Sequence, residues 1–279
     1  MQAIVDQLFF YPVKGCRGIP VDSARLAATG LEIDDIGDRE WVVADADGRF
    51  LSQRELPKMT LIETRLTSTA LRLRAPGMLE LEVPFASEGD VIQVQVWNDR
   101  VAAVTQGEVA DAWFSRYLGQ PCRLMRFDPE ARRLSSSRYT GAIEAPYKFA
   151  DAFALLIAST ASLADLNRKL AGRGAAAVGI ERFRPNIVLA GVEAFEEDYI
   201  ERLSIGDATL RVVKPCVRCS VPNVDPATGV AAHEPGDTLA VYRDNERAGG
   251  VTFGVNAIVA AGAGATIARG AAIDVTLAV

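Results

Sequence analysis

Long apolar runs, histidine and excess positive charge are all scarce in this sequence. No stretch of 18 consecutive apolar residues occurs, so the sequence offers no candidate for a membrane-spanning helix. It has a single histidine, His233, and its net charge of -6 argues against a nucleic-acid partner, which usually requires a basic face. Four cysteines in 279 residues are too few for a disulfide framework. These absences favour a globular protein of a reducing compartment, with no membrane or nucleic-acid partner.

The composition and the first residues set two further expectations. With 49% hydrophobic and 24% charged residues, the chain is ordinary for a globular protein, and its length suits one large domain or two small ones. The opening MQAIVDQLFFYPVKG lacks a basic leader and carries Asp6 within its apolar part. A secretory signal peptide is therefore not expected, and the cytoplasm is the predicted location.

Short apolar segments separated by turns dominate the pattern. Strands are predicted at 3–13, 41–44, 49–52, 61–65, 70–74, 79–83, 91–97, 154–158, 187–190, 203–205 and 209–213, with closing strands in 250–279. Many short strands with turns between them are typical of small barrels and sandwiches. The predicted fold class is α+β, mainly β with a few helices, in two parts, 1–120 and 121–279, that pack as one unit.

Two helices and one long loop complete the prediction. A helix over 108–118 carries Val109, Ala112, Trp113 and Tyr117 at helical spacing, and this face is predicted to lie in the core. A second helix over 161–170 follows the candidate caps Ser159, Thr160 and Ser162. Residues 128–150 are polar and poorly patterned, which indicates a mobile loop or one that faces an active site.

The residues with most chemical potential lie between 182 and 229, where RFRPNIVLAG is followed by KPCVRCSVPNVDPATG. Cys216 and Cys219 stand three residues apart there, with Lys214 and Arg218 beside them. A nearby cation stabilises the thiolate, which is the form that acts as nucleophile and as metal ligand. The sequence therefore predicts a reactive or metal-ligating cysteine.

A single C-x-x-C pair is compatible with four interpretations. A zinc site needs two further ligands, for which the chain offers only Cys16, Cys122 and His233. A thioredoxin-like pair opens a helix, whereas Pro222 and Pro226 after this pair suit a loop. Two thiols packed in a core are a third interpretation. The fourth is a single cysteine ligand to a cofactor that brings most of its own coordination.

Further motifs extend this pattern along the chain. YPVKGCRG lies near the N-terminus, GDREWVV near residue 40 and LIASTASLADLN near residue 160, and RPN precedes Cys219 by 33 residues. This ordered set resembles the molybdenum cofactor sulfurase C-terminal (MOSC) domain family, and most closely its amidoxime-reducing branch. The resemblance covers nearly the whole chain. It implies an N-terminal β-barrel domain at 1–120 packed against a β-barrel MOSC domain at 121–279.

The resemblance also implies a cofactor site. The molybdenum cofactor is a pterin with a phosphate and a dithiolene, and arginine suits its phosphate and pterin edge because the guanidinium forms paired hydrogen bonds. Cys219 would be the catalytic residue and the metal ligand. The expected cofactor-binding residues are Lys14, Gly15, Arg39, Arg54, Asp151, Arg184, Asn186 and Arg218. Asp151 falls on an acidic pterin-contact position, where Ala152 and Phe153 replace the family's usual polar pair.

The activity implied by the resemblance is that of a molybdenum-dependent oxidoreductase, which reduces N-hydroxylated small molecules at their N–O bond. No G-x-G-x-x-G follows a predicted strand and no cysteine follows Cys219, so a separate ferredoxin, flavoprotein or cytochrome-type protein is expected to donate electrons. Two alternatives within the family stay open: sulfur transfer through a cysteine persulfide, and non-catalytic carriage of the cofactor. The superfamily is also associated with pyridoxal phosphate binding.

Overall fold

A computed structural model describes residues 1–278 of the chain, which are mainly β-strands. The first strands are β1 (Gln2–Phe10), β2 (Ile19–Val21), β3 (Ser23–Ala27), β4 (Gly30–Ile33), β5 (Ile36–Gly37), β6 (Trp41–Asp45), β7 (Glu63–Leu66), β8 (Ala70–Arg74), β9 (Leu81–Pro84), β10 (Val91–Val96), β11 (Asp99–Thr105) and β12 (Cys122–Phe127). The later strands are β13 (Leu155–Ser159), β14 (Ile187–Ala190), β15 (Ile200–Ile205), β16 (Ala208–Val217), β17 (Asp244–Asn245), β18 (Gly250–Ala261), β19 (Thr266–Ala268) and β20 (Ala272–Leu277).

Helices are short and few. The α-helices are α1 (Glu108–Leu118), α2 (Ser137–Thr140), α3 (Thr160–Gly172) and α4 (Gly236–Tyr242). Single 3-10 turns occur at Pro57–Leu61, Ile180–Phe183, Glu196–Tyr199 and Val221–Asn223. In residues 1–278, none of the helices has the length and apolar character that crossing a membrane requires. The predicted α+β class, mainly β, is confirmed.

Seven strands close into a barrel. Their order is β13-β14-β1-β20-β15-β16-β18, and β18 pairs again with β13. The β13–β14 pair is parallel, and the other six pairs in the ring are antiparallel. Closure leaves no free edge among these strands, and their inward residues form much of the main core.

Helix α3 is the crossover that makes the parallel pair possible, since parallel neighbours cannot be joined by a tight turn. Its N-terminus is capped by Ser159, whose Oγ accepts a hydrogen bond of 3.1 Å from the Ser162 backbone N–H. Leu166 and Leu170 are fully buried and pack α3 onto the barrel. The predicted cap at Ser159 is therefore confirmed.

Three smaller sheets lie beside the barrel, with the strand orders β10-β11-β12-β6, β19-β3-β4-β5 and β7-β8-β9. Helix α1 packs against β12, and its Trp113 and Phe114 are buried in the main core. Its bounds match the prediction, but its predicted core face is partly wrong. Val109 is 76% exposed and Ala112 is also exposed, whereas Ala110 and Phe114 are buried. The buried face of the helix is therefore rotated about the helix axis relative to the predicted face.

Strand pairing connects the two predicted parts of the chain. Strand β12 follows residue 120 but pairs with β11 and β6, whereas β1 belongs to the barrel and β19 pairs with β3. The boundary at residue 120 stays a prediction. These exchanges show that the two parts share sheets, which fixes their relative position.

The segment 128–150 was predicted to be a long loop, and it has little regular structure besides α2. It is nevertheless fastened to its surroundings. Arg133 is 5% exposed and donates to the Asp99 carboxylate at 2.8 Å and to the carbonyls of Lys148 and Ala150 at 3.0 and 2.8 Å. This anchoring holds the segment in place where it leads into Asp151.

Gly254 offers a test of barrel closure. It has φ of +71° in β18, and a Cβ placed there would lie 2.6 Å from the Ile157 carbonyl oxygen of β13. Gly254→Ala is expected to lower the free energy of unfolding by about 3 kcal/mol, because both backbone strain and a clash with the neighbouring strand oppose it. Urea denaturation measures this change.

Gly77→Ala is the matched control. Gly77 has φ of +73° but no atom within 4 Å of the added Cβ, so only the backbone term of about 1 kcal/mol applies. Equal losses in the two variants would contradict the close contact between β13 and β18.

Candidate functional site

One cleft of about 230 Å³ is lined by both parts of the chain. It contains all nine predicted site residues, namely Lys14, Gly15, Arg39, Arg54, Asp151, Arg184, Asn186, Arg218 and Cys219. The turn after β1, the turn before β6, the segments before β13 and β14 and the end of β16 supply most of its walls. Residues that are far apart in the sequence are thus brought together, as predicted.

Arg39 lies at the centre of a buried network. Its guanidinium pairs with the Asp38 carboxylate, which is 1% exposed, and donates to Asn186 Oδ1 at 3.0 Å and to the Arg184 carbonyl at 3.1 Å. Asn186 Oδ1 also accepts from the Leu156 backbone N–H at 3.1 Å. Asn186 therefore joins β14, β13 and the turn before β6.

The Tyr11 ring packs against the guanidinium groups of Arg39 and Arg184. The guanidinium carbons of Arg39 and Arg184 lie 4.2 and 4.4 Å from the centroid of its ring, within range of cation–π attraction. Arg184 also donates to the Cys16 carbonyl at 2.8 Å. Burial raises the pKa of Tyr11 well above its usual range and lowers that of Arg184. The tyrosine thus stays neutral, while a guanidinium keeps its proton in any case.

Three cleft residues have left-handed backbone conformations. Arg39, Trp97 and Arg184 have φ values of +52°, +55° and +58°. Such a conformation disfavours side chains larger than glycine, and it tends to occur at functional sites where the surrounding structure enforces it. Of the six non-glycine residues with positive φ within residues 1–278, these three line the cleft.

Lys14 and Asp151 pair across the cleft. Lys14 Nζ lies 2.6 Å from Asp151 Oδ1 and 2.8 Å from the Phe149 carbonyl, and the Trp97 indole donates to the same carboxylate oxygen at 2.9 Å. The enclosing walls alone would raise the pKa of Asp151, but Lys14 and these hydrogen bonds bring it well below its usual range. Because the Asp151 side chain is 68% accessible, solvent screens the pair and limits its contribution to stability.

The two cleft cysteines differ in their surroundings. Cys216 lies at the end of β16, and its Sγ is 3.1 Å from Arg218 Nη1, while Arg218 Nη2 donates to the Phe183 carbonyl at 3.0 Å. Cys219 follows in the loop before the 3-10 turn that starts at Val221. Both thiols are partly exposed and line the cleft, so they are not ordinary core cysteines.

The structure also separates residues that the sequence had grouped. Arg182 shares a motif with Arg184 but pairs with Asp225 at 3.0 Å, outside the cleft. Arg17 shares a motif with Lys14 but pairs with Glu63 at 2.9 Å. Neighbouring basic residues in one motif thus have different roles.

Several cleft residues were not among the predicted site residues. They include Phe50, Gln53, Trp97, Phe153, Lys214 and Asn256. Trp97 is the last residue of a predicted strand and gave no signal of its own, whereas Lys214 was visible as a charge beside the C-x-x-C pair. Gln53 holds the turn at Gly15 by donating to its carbonyl at 2.6 Å.

The chemistry of the cleft fits an anionic group rich in oxygen and nitrogen. Six of its charged side chains are cationic, and Asp151 alone is anionic. Arg184 Nη2 and Arg218 Nε are buried without a hydrogen-bond acceptor among residues 1–278, and such donors cost about 1–3 kcal/mol each if left unpaired. The phosphate and pterin of a molybdenum cofactor supply hydrogen-bond acceptors for such donors, and the free thiol of Cys219 lines the same cleft. No three His, Cys, Asp or Glu side chains in that part of the chain are grouped so as to hold a metal ion.

Comparison with known proteins agrees with the motifs. The MOSC N-terminal beta barrel domain family matches residues 2–121, and the MOSC domain family matches residues 144–274. Mitochondrial amidoxime reducing component 2 of Bos taurus is 35% identical over 245 residues, which cover 86% of this chain and 72% of that protein. Mitochondrial amidoxime-reducing component 1 of Homo sapiens gives the same identity and coverage.

Solved structures add little to this result. The crystal structure of the YUAD protein from Bacillus subtilis covers 99% of this chain and 96% of its own, but with 13% identity and a TM-score of 0.41. The names of the two amidoxime-reducing relatives refer to mitochondria and not to pyridoxal phosphate, so neither that ligand nor the cytoplasmic location is supported by them. The resemblance predicted from the motifs is confirmed. The order of the two matching domains and the identity over most of the chain show that it belongs to the MOSC-domain family that includes the mitochondrial amidoxime-reducing components.

Proposed function

We propose that this protein is a molybdenum-cofactor-dependent reductase that removes the oxygen of N-hydroxylated small molecules. The observation that carries this proposal is a single cleft that contains the Cys219 thiol, six cations and unpaired guanidinium donors. The names of the relatives, amidoxime-reducing components, support the choice of substrate class. We also propose that residues 1–120 and 121–279 are its two domains.

The basic residues would bind and orient the cofactor. Arg184 and Arg218 have donors free of protein acceptors, so they suit its phosphate and pterin oxygens. Arg39 and Asn186 hold Arg184 in place, and Lys14 in the turn at Gly15 adds positive charge. Arg54, whose guanidinium carbon lies 4.3 Å from the centroid of the Trp97 ring, lines the cleft beside that ring.

Cys219 would be the thiolate ligand of the metal. When bound, the cofactor supplies the two-electron chemistry that takes an oxygen atom from an N–O bond. The protein positions substrate and holds the charged group in a partly enclosed cleft. Asp151 would contact the pterin, and its pairing with Lys14 and Trp97 fixes the orientation of its carboxylate.

Electrons would come from a separate ferredoxin, flavoprotein or cytochrome-type protein. The cysteines outside the cleft, Cys16 and Cys122, are buried in the main core, and burial raises the pKa of Cys16 to about 12 and that of Cys122 to about 11. They are therefore protonated thiols, which do not suit an iron–sulfur cluster. The sequence also contains no G-x-G-x-x-G motif for a nicotinamide or flavin.

The two cleft cysteines give the first test of this proposal. Cys219→Ala is expected to abolish both molybdenum–thiolate bonding and activity, because the metal loses its protein ligand. Cys216→Ala is expected to lower the activity about tenfold or less, because Cys216 would only adjust the surroundings of the metal ligand. Molybdenum analysis and reduction assays on both variants check this expectation. Equal loss of activity, with metal still bound to Cys219→Ala, would reverse the assignment.

Arg184 gives the second test. Arg184→Gln is expected to weaken cofactor retention about ten- to hundredfold, since one charge-assisted hydrogen bond to an anion contributes about 1.5–3 kcal/mol. Pterin and molybdenum content after gel filtration measure retention, and thermal unfolding shows whether the fold is intact.

Arg182→Gln is the matched control, because Arg182 lies in the same motif but pairs with Asp225 outside the cleft. Its cofactor content should equal that of the wild type. Arg39 is a poorer probe because its removal leaves the buried Asp38 carboxylate unpaired, which destabilises the fold itself. Full cofactor content in Arg184→Gln would show that Arg184 has only a structural role.

The electron source gives the third test. The isolated protein, loaded with cofactor, is expected to reduce benzamidoxime with reduced viologen but not with NADPH alone. Viologen delivers single electrons directly, whereas a hydride donor needs a nicotinamide or flavin site. Turnover with NADPH and no second protein would refute the separate donor. If viologen supports no turnover while molybdenum is bound, and a persulfide forms on Cys219, sulfur transfer becomes the better proposal.

A further inference from the structure

One cation of the cleft has no role in holding the cofactor residues described above. Lys214 lies on β16 two residues before Cys216, and both residues line the cleft. Its ammonium forms no hydrogen bond or ion pair with any of residues 1–278. Instead, Nζ lies 4.9 Å from the centroid of the Tyr139 ring and 5.9 Å from that of Phe153.

The two rings form an aromatic surface beside this ammonium. Their centroids are 5.8 Å apart in an edge-to-face arrangement. Phe153 is 5% exposed and lines the cleft, whereas Tyr139 is 36% exposed, so the surface runs from the cleft wall towards solvent. Arg211 Nη2 donates to the Tyr139 carbonyl at 3.1 Å and fastens α2 to β16. These three residues, Lys214, Tyr139 and Phe153, are called the Lys214 rim.

The other cleft cations have different surroundings. Lys14, Arg39, Arg184 and Arg218 each donate to a carbonyl, amide or carboxylate of the protein. Arg54 donates no side-chain hydrogen bond within residues 1–278, but it stacks on Trp97, whose indole is bonded to Asp151. The Lys214 rim thus combines an ammonium without an anionic partner and an aromatic surface at the outer part of the cleft.

We infer that the Lys214 rim selects N-hydroxylated substrates that carry an aromatic ring with a carboxylate, a substrate class that rests on the proposed function. The ring would pack on Phe153 and Tyr139, and the carboxylate would accept a charge-assisted hydrogen bond from Lys214 Nζ. For a carboxylated aromatic amidoxime, two electrons from the donor and two protons from water break the N–O bond. The products are the amidine and one water molecule.

The test compares benzamidoxime with 4-carboxybenzamidoxime, using reduced viologen as donor. The wild type is expected to favour the carboxylate about tenfold in kcat/KM, which is the low end of the range for a hydrogen bond to a charged group in a partly open site. This ratio should fall towards one in Lys214→Gln, persist in Lys214→Arg, and shrink with added salt.

Lys58→Gln is the matched control for the charge. Lys58 Nζ lies 5.5 Å from the Tyr117 ring centroid, so it is also a lysine over a tyrosine, but it does not line the cleft. The substrate ratio should be unchanged in this variant. A wild-type ratio near one, or an equal fall in Lys58→Gln, overturns the inference.

Calorimetry without an electron donor supplies a second readout, since neither amidoxime is then consumed. The wild type should bind the carboxylated compound more tightly, and Lys214→Gln should bind the two alike. Loss of molybdenum from Lys214→Gln would place Lys214 in the cofactor site and overturn the inference. If neither compound is reduced, the proposed function fails, and equal affinity of the wild type for both compounds overturns the Lys214 rim independently.

Discussion

The cleft depends on the burial of two guanidinium groups against Tyr11. A guanidinium taken out of water needs acceptors for its N–H groups, and few side chains supply several at once. Arg39 meets this need with Asp38, the amide of Asn186 and a backbone carbonyl from a distant segment. Arg184 donates to the Cys16 carbonyl but keeps a buried donor, Nη2, that has no acceptor among residues 1–278. The segments that carry these acceptors are therefore held at fixed distances. Barrel strands position the arginines, and the arginines in turn tie the turns of the smaller sheets to the barrel.

The tertiary structure holds both arginines in a backbone conformation that arginine disfavours locally. Arg39 and Arg184 both adopt the left-handed backbone region, which costs on the order of 1–3 kcal/mol at each position. Glycine would avoid this backbone cost, but glycine at position 39 would leave the buried Asp38 carboxylate without its partner. The cost is offset by packing and hydrogen bonds elsewhere, and it orients two long side chains that glycine could not provide. Local rules therefore fail at the positions where cofactor contacts are expected, which is the pattern seen at functional sites in general.

Local signals in the sequence predicted much of the fold and the membership of the cleft. The bounds of α1, β8 and β14 and the cap at Ser159 follow from periodicity, turn residues and capping, all of which act within a few residues. The predicted buried face of α1 differs from the observed one, because Val109 fits the helical spacing of apolar residues but is exposed to solvent. Contacts between distant segments determine the sharing of sheets by the two parts of the chain, the position of α4, and the presence of Trp97 and Lys214 in the cleft. Nothing within a short window of sequence reports such contacts, and the motif resemblance alone grouped the nine site residues.

Pairing of β1 with β20 has a consequence for the order of events in the cell. Strand β1 leaves the ribosome well before its hydrogen-bonded neighbour β20, which lies some 270 residues later in the chain. The barrel cannot close until translation has passed Leu277, so its slow, non-local folding step waits until both of these strands have been made. The cleft takes its walls from segments spread between Lys14 and Asn256, so it is not complete before Asn256 has been translated. Any ligand that needs the whole cleft is therefore bound late, after these distant segments have come together.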